Sequence, residues 1–216
     1  MHGVHSGRRS CAGHWFLTAC ASLALAACSA DQTLSPVADV SSPAESRGSR
    51  GAQAGEQQSK AGLEINYMKF TIDHHAMGVM MAQLCVEKAV HAELRELCQR
   101  NLEAQPAELE QLLDWLQAWY DISYEPQMSP GDLQMREQLA TLEGAEFEIE
   151  FMEMFSRHHH QIVQRSRPVA RQAVHEELRQ LAADIVQAQT TDIRSMLTWL
   201  CEWYDICHPR FGIAPG

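Results

Sequence analysis

No Glu-x-x-His motif occurs anywhere in the 216 residues. That argues against di-iron carboxylate oxidase chemistry, which needs two such motifs and two further glutamates facing into a helical bundle. A His-Glu-x-x-His metal motif is missing as well. Positive charge is scarce: 17 Lys and Arg stand against 28 Asp and Glu, for a net charge of −11. So acidic a chain disfavours nucleic acid and anionic lipid as partners and attracts cations. Long apolar runs are lacking too. The stretch 15–27 is too short to span a membrane, and follows Arg8 and Arg9 as the apolar core of an export signal does.

That stretch ends in Leu25-Ala26-Ala27-Cys28, which resembles a bacterial lipobox. The resemblance implies cleavage before Cys28, lipidation of Cys28 and, with Ser29 following and not Asp, sorting to the outer membrane facing the periplasm. Loss of residues 1–27 removes two of the 17 basic residues and none of the 28 acidic ones, taking the charge from −11 to −13. Residues 28–62 are rich in Ser, Ala, Gln and Gly without an apolar period, as in a flexible tether. Such a coil spans roughly 30 Å. A domain at 63–208 and a tail at 209–216 complete the chain. Four cysteines follow Cys28. Cys85 and Cys98 flank the segment around Val90, and Cys201 and Cys207 straddle a helix end. In an exported protein this favours two local disulfides over thiolate metal ligands.

What is present in abundance is internal similarity. A run of some fifty residues recurs at a constant offset of 84, within about 64–122 and 148–206. Each copy has a histidine pair (His74-His75; His158-His159), an Ala-Val-His segment (His91; His175), a glutamine (Gln105; Gln189) and a Trp-x-x-x-Trp-Tyr-Asp-Ile end. Such regularity means two packed copies of one unit.

Each unit reads as a helical hairpin. Ile65, Met68, Ile72, His75, Val79, Ala82 and Val86 recur at alternating spacings of three and four, as do Cys98, Leu102, Gln105, Leu109, Leu112, Leu116 and Trp119. The second copy follows suit, and Pro126, Pro130 and Gly131 interrupt helix between the copies. A short helix is expected around 133–142. Pro106 and Pro168 predict kinks or breaks inside the long helices. Two antiparallel hairpins make an all-α four-helix bundle.

His75 and Gln105 are equidistant from Val90, and His159 and Gln189 from Val174. An antiparallel hairpin sets such positions level, so each unit carries a His–Gln pair in an apolar seam. Unpartnered, such groups cost about 1–3 kcal/mol each, so the layer calls for hydrogen bonds, water or an ion. Beside it lie Met77, Met80 and Met81 in the first copy and Met152, Met154 and Met196 in the second, with Met68 two turns before His75. Imidazole with thioether suits soft or borderline metals, Cu(I) above all. Neighbouring residues on a helix diverge by about 100°. That points to one site using His75 and His159 and a more exposed one using His74 and His158.

Leu142-Glu143-Gly144-Ala145-Glu146-Phe147, Phe151-Met152-Glu153-Met154 with His158-His159, and Gln189 through Leu200 together resemble the DUF305 family. The resemblance covers about 63–206. It implies a ferritin-like four-helix fold and, since the family includes a periplasmic copper-binding protein implicated in copper resistance, a copper role. Two departures stand out. Leu112 occupies the methionine place of the family's Gln-x-x-Glu-Ile-x-x-Met segment, and Asp192 replaces its glutamate in the second copy.

The expected protein is therefore a non-enzymatic copper buffer or chaperone tethered to the membrane through Cys28. Its candidate ligands are His74, His75, Met77, Met81, His158 and His159, with Met68, Met152, Met154 and Met196 as further sulfur donors. The competing reading is a metal-free lipoprotein that binds an envelope partner, its His–Gln layer only fixing helix register and its methionines filling the core. The Trp115/Trp119 and Trp199/Trp203 pairs read as core anchors, and His91 and His175 as capping or surface groups.

Overall fold

A computed structural model describes residues 43–207. Among the described residues five helices follow one another: α1 (Pro43–Lys88), α2 (Ala92–Tyr120), α3 (Pro130–Ala140), α4 (Gly144–Gln172) and α5 (Glu176–Tyr204). Helices α1 and α2 form one antiparallel hairpin and α4 and α5 the other. The hairpins join through α1 and α4, α3 lies against both of these, and α2 and α5 barely touch. The chain is thus an all-α four-helix bundle with one short extra helix. No described helix is long and apolar enough to cross a membrane. The export signal, Cys28 and the tail 209–216 lie outside the described residues.

Residues 43–62, expected as coil, belong to α1. Ala, Gln, Glu and Lys fill much of this stretch and are strong helix formers, and a leading Pro43 lacks only an N–H that would have no intrahelical partner there. A Glu56–Lys60 pair at 2.8 Å supports the exposed turn. Pro106 and Pro168 sit inside α2 and α4, which both continue past them without a break. Each ring removes one hydrogen bond, and packing within the hairpin holds the remaining turns.

The helix ends repeat one solution. Asp121 and Asp205 adopt left-handed backbone (φ 53° and 58°). The N–H of Ile122 returns to Leu116 O at 3.1 Å, and that of Ile206 to Leu200 O at 3.0 Å. This closure satisfies carbonyls left over by the final turn. Helix α3 starts with a capping box between Ser129 and Asp132, Pro130 being its first residue. Both expected disulfides are present, Cys85–Cys98 tying α1 to α2 and Cys201–Cys207 closing the end of α5.

Buried apolar side chains separate into two clusters. One holds Met77, Met81, Cys85, Leu94, Phe147, Phe151, Phe155, Met152, Met154 and Met196. The other holds Tyr67, Met68, Ile72, Leu112, Leu116, Ile162, Val169, Leu178 and Ile185. Residues 84 apart fall into opposite clusters: Phe151 and Tyr67, Met152 and Met68, Cys85 and Val169, Leu94 and Leu178, Met196 and Leu112. Each cluster therefore combines the C-terminal half of one hairpin's first helix with the N-terminal half of the other's.

Candidate metal centre

The histidines belong to α1 and α4, the two helices that join the hairpins. His75 and His159 are fully buried and His74 is 7 % exposed. The rings of His74 and His158 stack with centroids 3.5 Å apart and planes 16° from parallel. His75 lies 6.1 Å from His74, and His159 lies 6.1 Å from His158, between centroids. The two sites expected at different depths are thus one continuous layer, the stack joining the partly exposed His158 to the buried His74.

Partners fix which nitrogen carries the proton. His74 Nε2 donates to the backbone oxygen of His158 at 2.9 Å, and His75 Nε2 meets Glu108 Oε2 at 2.6 Å. In neutral rings the Nδ1 atoms are then bare lone pairs, and both are buried without a partner. His158 Nε2 and both nitrogens of His159 are equally unpartnered. His159 Nε2 is 3.4 Å from Asp192 Oδ2 without hydrogen-bonding geometry.

The expected His75–Gln105 and His159–Gln189 pairing is not made. Glu108, one helical turn further along, takes His75 instead, while its match Asp192 stops short of a hydrogen bond to His159. Gln105 donates to Asn101 Oδ1 at 2.7 Å, and Asn101 donates in turn to Asp192 Oδ2 at 2.8 Å. Gly78 makes room for this: a Cβ there would stand 2.1 Å from Gln105 Oε1 and 3.1 Å from His158 Nε2. The Oε1 atoms of Gln105 and Gln189 remain unpartnered. Outside this layer, where α2 and α5 stand apart, a groove of about 480 Å³ is lined by Asn101, Gln105, Glu108, Gln189 and Asp192 among others.

Burial dominates the electrostatics. It pushes His74 down to about 3, with the neighbouring His75 acting in the same direction and the bond to His158 opposing. Burial, then the charges of His74 and His159, hold His158 far below the ordinary imidazole value. His159 is lowered by burial against the opposing pull of Asp192. Neutral imidazole is the form that binds a metal.

Five of the candidate thioethers, Met77, Met81, Met152, Met154 and Met196, share one apolar cluster, with Met80 and Met128 packed against it. Met68 lies in the other. Met196 receives the Ser156 hydroxyl at 3.9 Å. Among the described residues no group of three or more His, Cys, Asp or Glu side chains is placed to hold an ion. Closing on a shared ion therefore requires some of these rings to turn.

This arrangement has counterparts among known proteins. The model of the family described as a domain of unknown function, DUF305, matches residues 64–200. The chain belongs to the DUF305 family. Its fold is similar to CopM in the Cu(II)-bound form (25 % identity, 65 % of this chain and 97 % of that one, TM-score 0.60). It is also similar to CopM in the Ag-bound form obtained by soaking (26 %, 65 % and 96 %, TM-score 0.58). A DUF305 fragment from Deinococcus radiodurans compares at 25 % identity over 64 % of this chain and 95 % of that one, with TM-score 0.55. Among curated proteins none matches.

One constellation of this DUF305 chain escaped the sequence reading. Glu64 of α1 reaches the other hairpin, accepting from the N–H groups of Val174 (2.5 Å) and His175 (2.9 Å), from His175 Nδ1 (2.8 Å) and from the Tyr120 hydroxyl. Glu148 of α4 does the same for Val90 (2.7 Å), His91 (2.8 Å), His91 Nδ1 (2.6 Å) and Tyr204. Trp119 stacks on His175 at 3.8 Å and Trp203 on His91 at 3.9 Å. Desolvation raises each carboxyl, but the hydrogen bonds outweigh it and hold both below the ordinary value. The offset of 84 was the available signal, since Glu64 and Glu148 match under it.

Proposed function

We propose that this chain is a copper-binding buffer or chaperone of the bacterial cell envelope, held to the membrane by a lipid on Cys28, and not an enzyme. One observation carries the reading: four adjoining imidazoles with unpartnered ring nitrogens on each, of which burial holds His74, His158 and His159 below the ordinary imidazole value. Leaving so many polar groups unpaired costs about 1–3 kcal/mol apiece, a cost that a bound cation reverses. His74, His75, His158 and His159 would supply the nitrogen donors. Met77, Met81, Met152, Met154 and Met196 would supply sulfur from the adjoining cluster, with Met68 beyond the layer. Nitrogen with sulfur favours Cu(I) over harder cations. The similarity to CopM, solved in Cu(II)- and Ag-bound forms, supports a copper role. The export signal and lipobox support the envelope location.

The metal-free reading draws on a different observation: the five clustered methionines are at most 8 % exposed and fill core volume. An anaerobic Cu(I) titration of wild type beside His74→Ala/His75→Ala separates the two. The copper reading expects loss of the tightest binding step in the variant; equal uptake by both proteins overturns this ligand assignment.

A further inference from the structure

Glu108 and Asp192 occupy the same place in the two hairpins, 84 residues apart, and differ by one methylene. Both face the α2/α5 groove, where water and ions reach them. The longer side chain makes a full hydrogen bond to its histidine, 2.6 Å from Glu108 Oε2 to His75 Nε2. The shorter one stops 3.4 Å from His159 Nε2. Asp192 is also engaged elsewhere, since Asn101 donates to the same Oδ2 at 2.8 Å. The match to Asn101 in the second copy is Ile185, so nothing equivalent draws Glu108 away. As a result His75 is locked with its proton on Nε2, whereas both nitrogens of His159 lack a partner.

We propose that Glu108 is a positioning residue that presets His75 as an Nδ1 metal ligand, and that Asp192 leaves His159 unset, so that two halves of one duplicated layer bind a soft cation unequally and His75 engages first. The proposal rests on the copper reading above for the identity of the cation, though not for the state of the two rings. A carboxylate on the far nitrogen fixes tautomer and orientation and makes the ligating nitrogen more basic, so its loss weakens metal binding by about 10- to 100-fold. The second ring must adopt its tautomer at the moment of binding, which lowers its affinity.

The test exchanges the two side chains in the full-length chain. Two-bond ¹H–¹⁵N correlation spectra of metal-free protein, labelled at histidine, report which nitrogen is protonated. Wild type should show His75 as a single Nε2–H form and His159 as an average of two forms. Glu108→Asp should turn His75 into such an average and weaken the tighter Cu(I) step by about ten-fold. Asp192→Glu should lock His159 and tighten the weaker step by a similar factor. Because one exchange removes a contact and the other adds one, general damage to the fold does not reproduce both results. A His75 signal that does not move in Glu108→Asp, or a His159 signal that does not move in Asp192→Glu, overturns the proposal even if copper binds. Tautomers that move as stated in a protein that takes up no Cu(I) uphold the positioning role and remove the copper reading.

Discussion

The two ends of the bundle are built from matching residues, yet they differ in chemistry. Glu64 with Tyr120, Trp119 and His175 closes one end, and Glu148 with Tyr204, Trp203 and His91 closes the other, with nearly identical contacts. The cores behind these closures diverge. One packs five of the candidate methionines, three phenylalanines and a disulfide; the other packs Leu, Ile and Val with Tyr67 around Met68 as its one methionine. Backbone closure tolerates little variation, because a buried carboxylate must meet several fixed donors at once. Core positions accept any apolar side chain of suitable volume, so sulfur could gather at one end without disturbing the fold.

Four measurements test how far the two ends are equivalent. The largest effect is expected at the closures. Glu64→Ala and Glu148→Ala each strand two backbone N–H groups, a tyrosine hydroxyl and an imidazole, and should each cost about 3–5 kcal/mol in urea unfolding. Equal losses support equivalent ends; a loss at only one end contradicts the symmetry. Next come the cross-links. Removing Cys85–Cys98, whose partners are 13 residues apart, should cost about 3 kcal/mol by loop entropy. Removing Cys201–Cys207, 6 residues apart, should cost about 2 kcal/mol, with thermal melts of both variants as the check.

Acidification separates the middle of the molecule from its ends. His74 titrates near 6.5 when unfolded and at about 3 when folded, so the unfolded chain binds more protons between those values. Stability from this group is present above pH 6.5 and falls as pH drops toward 3, by up to about 1.4 kcal/mol per pH unit. Glu64 and Glu148 have folded values below 4.5, so their contribution is intact above pH 4.5 and is lost as pH falls through the folded value. Urea unfolding across pH should therefore show an early loss that His74→Gln/His158→Gln reduces, and a later one that it does not. The smallest effect is at Gly78. Alanine there gains about 1 kcal/mol of helix propensity but displaces the Gln105 amide, at about 1–3 kcal/mol. A net loss of about 1 kcal/mol is expected by thermal unfolding, together with shifted His158 resonances; no shift at His158 would mean that Gln105 yields freely.

Much of this is legible in the sequence. Spacings of three and four placed the helices, the offset of 84 paired the hairpins, and the cysteine positions matched two local disulfides. The histidine layer was legible as a level, because residues equidistant from a turn meet in a hairpin. Its partners were not. Glu108 and Asp192 lie a turn beyond the level of His75 and His159, and spacing along a helix does not say how far an imidazole reaches. Glu64 and Glu148 were hidden for another reason: each serves the opposite hairpin, a contact 110 or 58 residues distant in sequence, from Glu64 to Val174 and from Glu148 to Val90.

Local periodicity and composition specify most of the helices, their pairing into hairpins and the residue types available for soft-metal chemistry. Which end gathers the thioethers, which histidine nitrogens lack a partner, and whether Glu108 and Asp192 reach their histidines are settled in three dimensions. Those outcomes depend on how α1 meets α4 and on differences of less than an ångström between side chains, and neither is encoded in spacing along the chain.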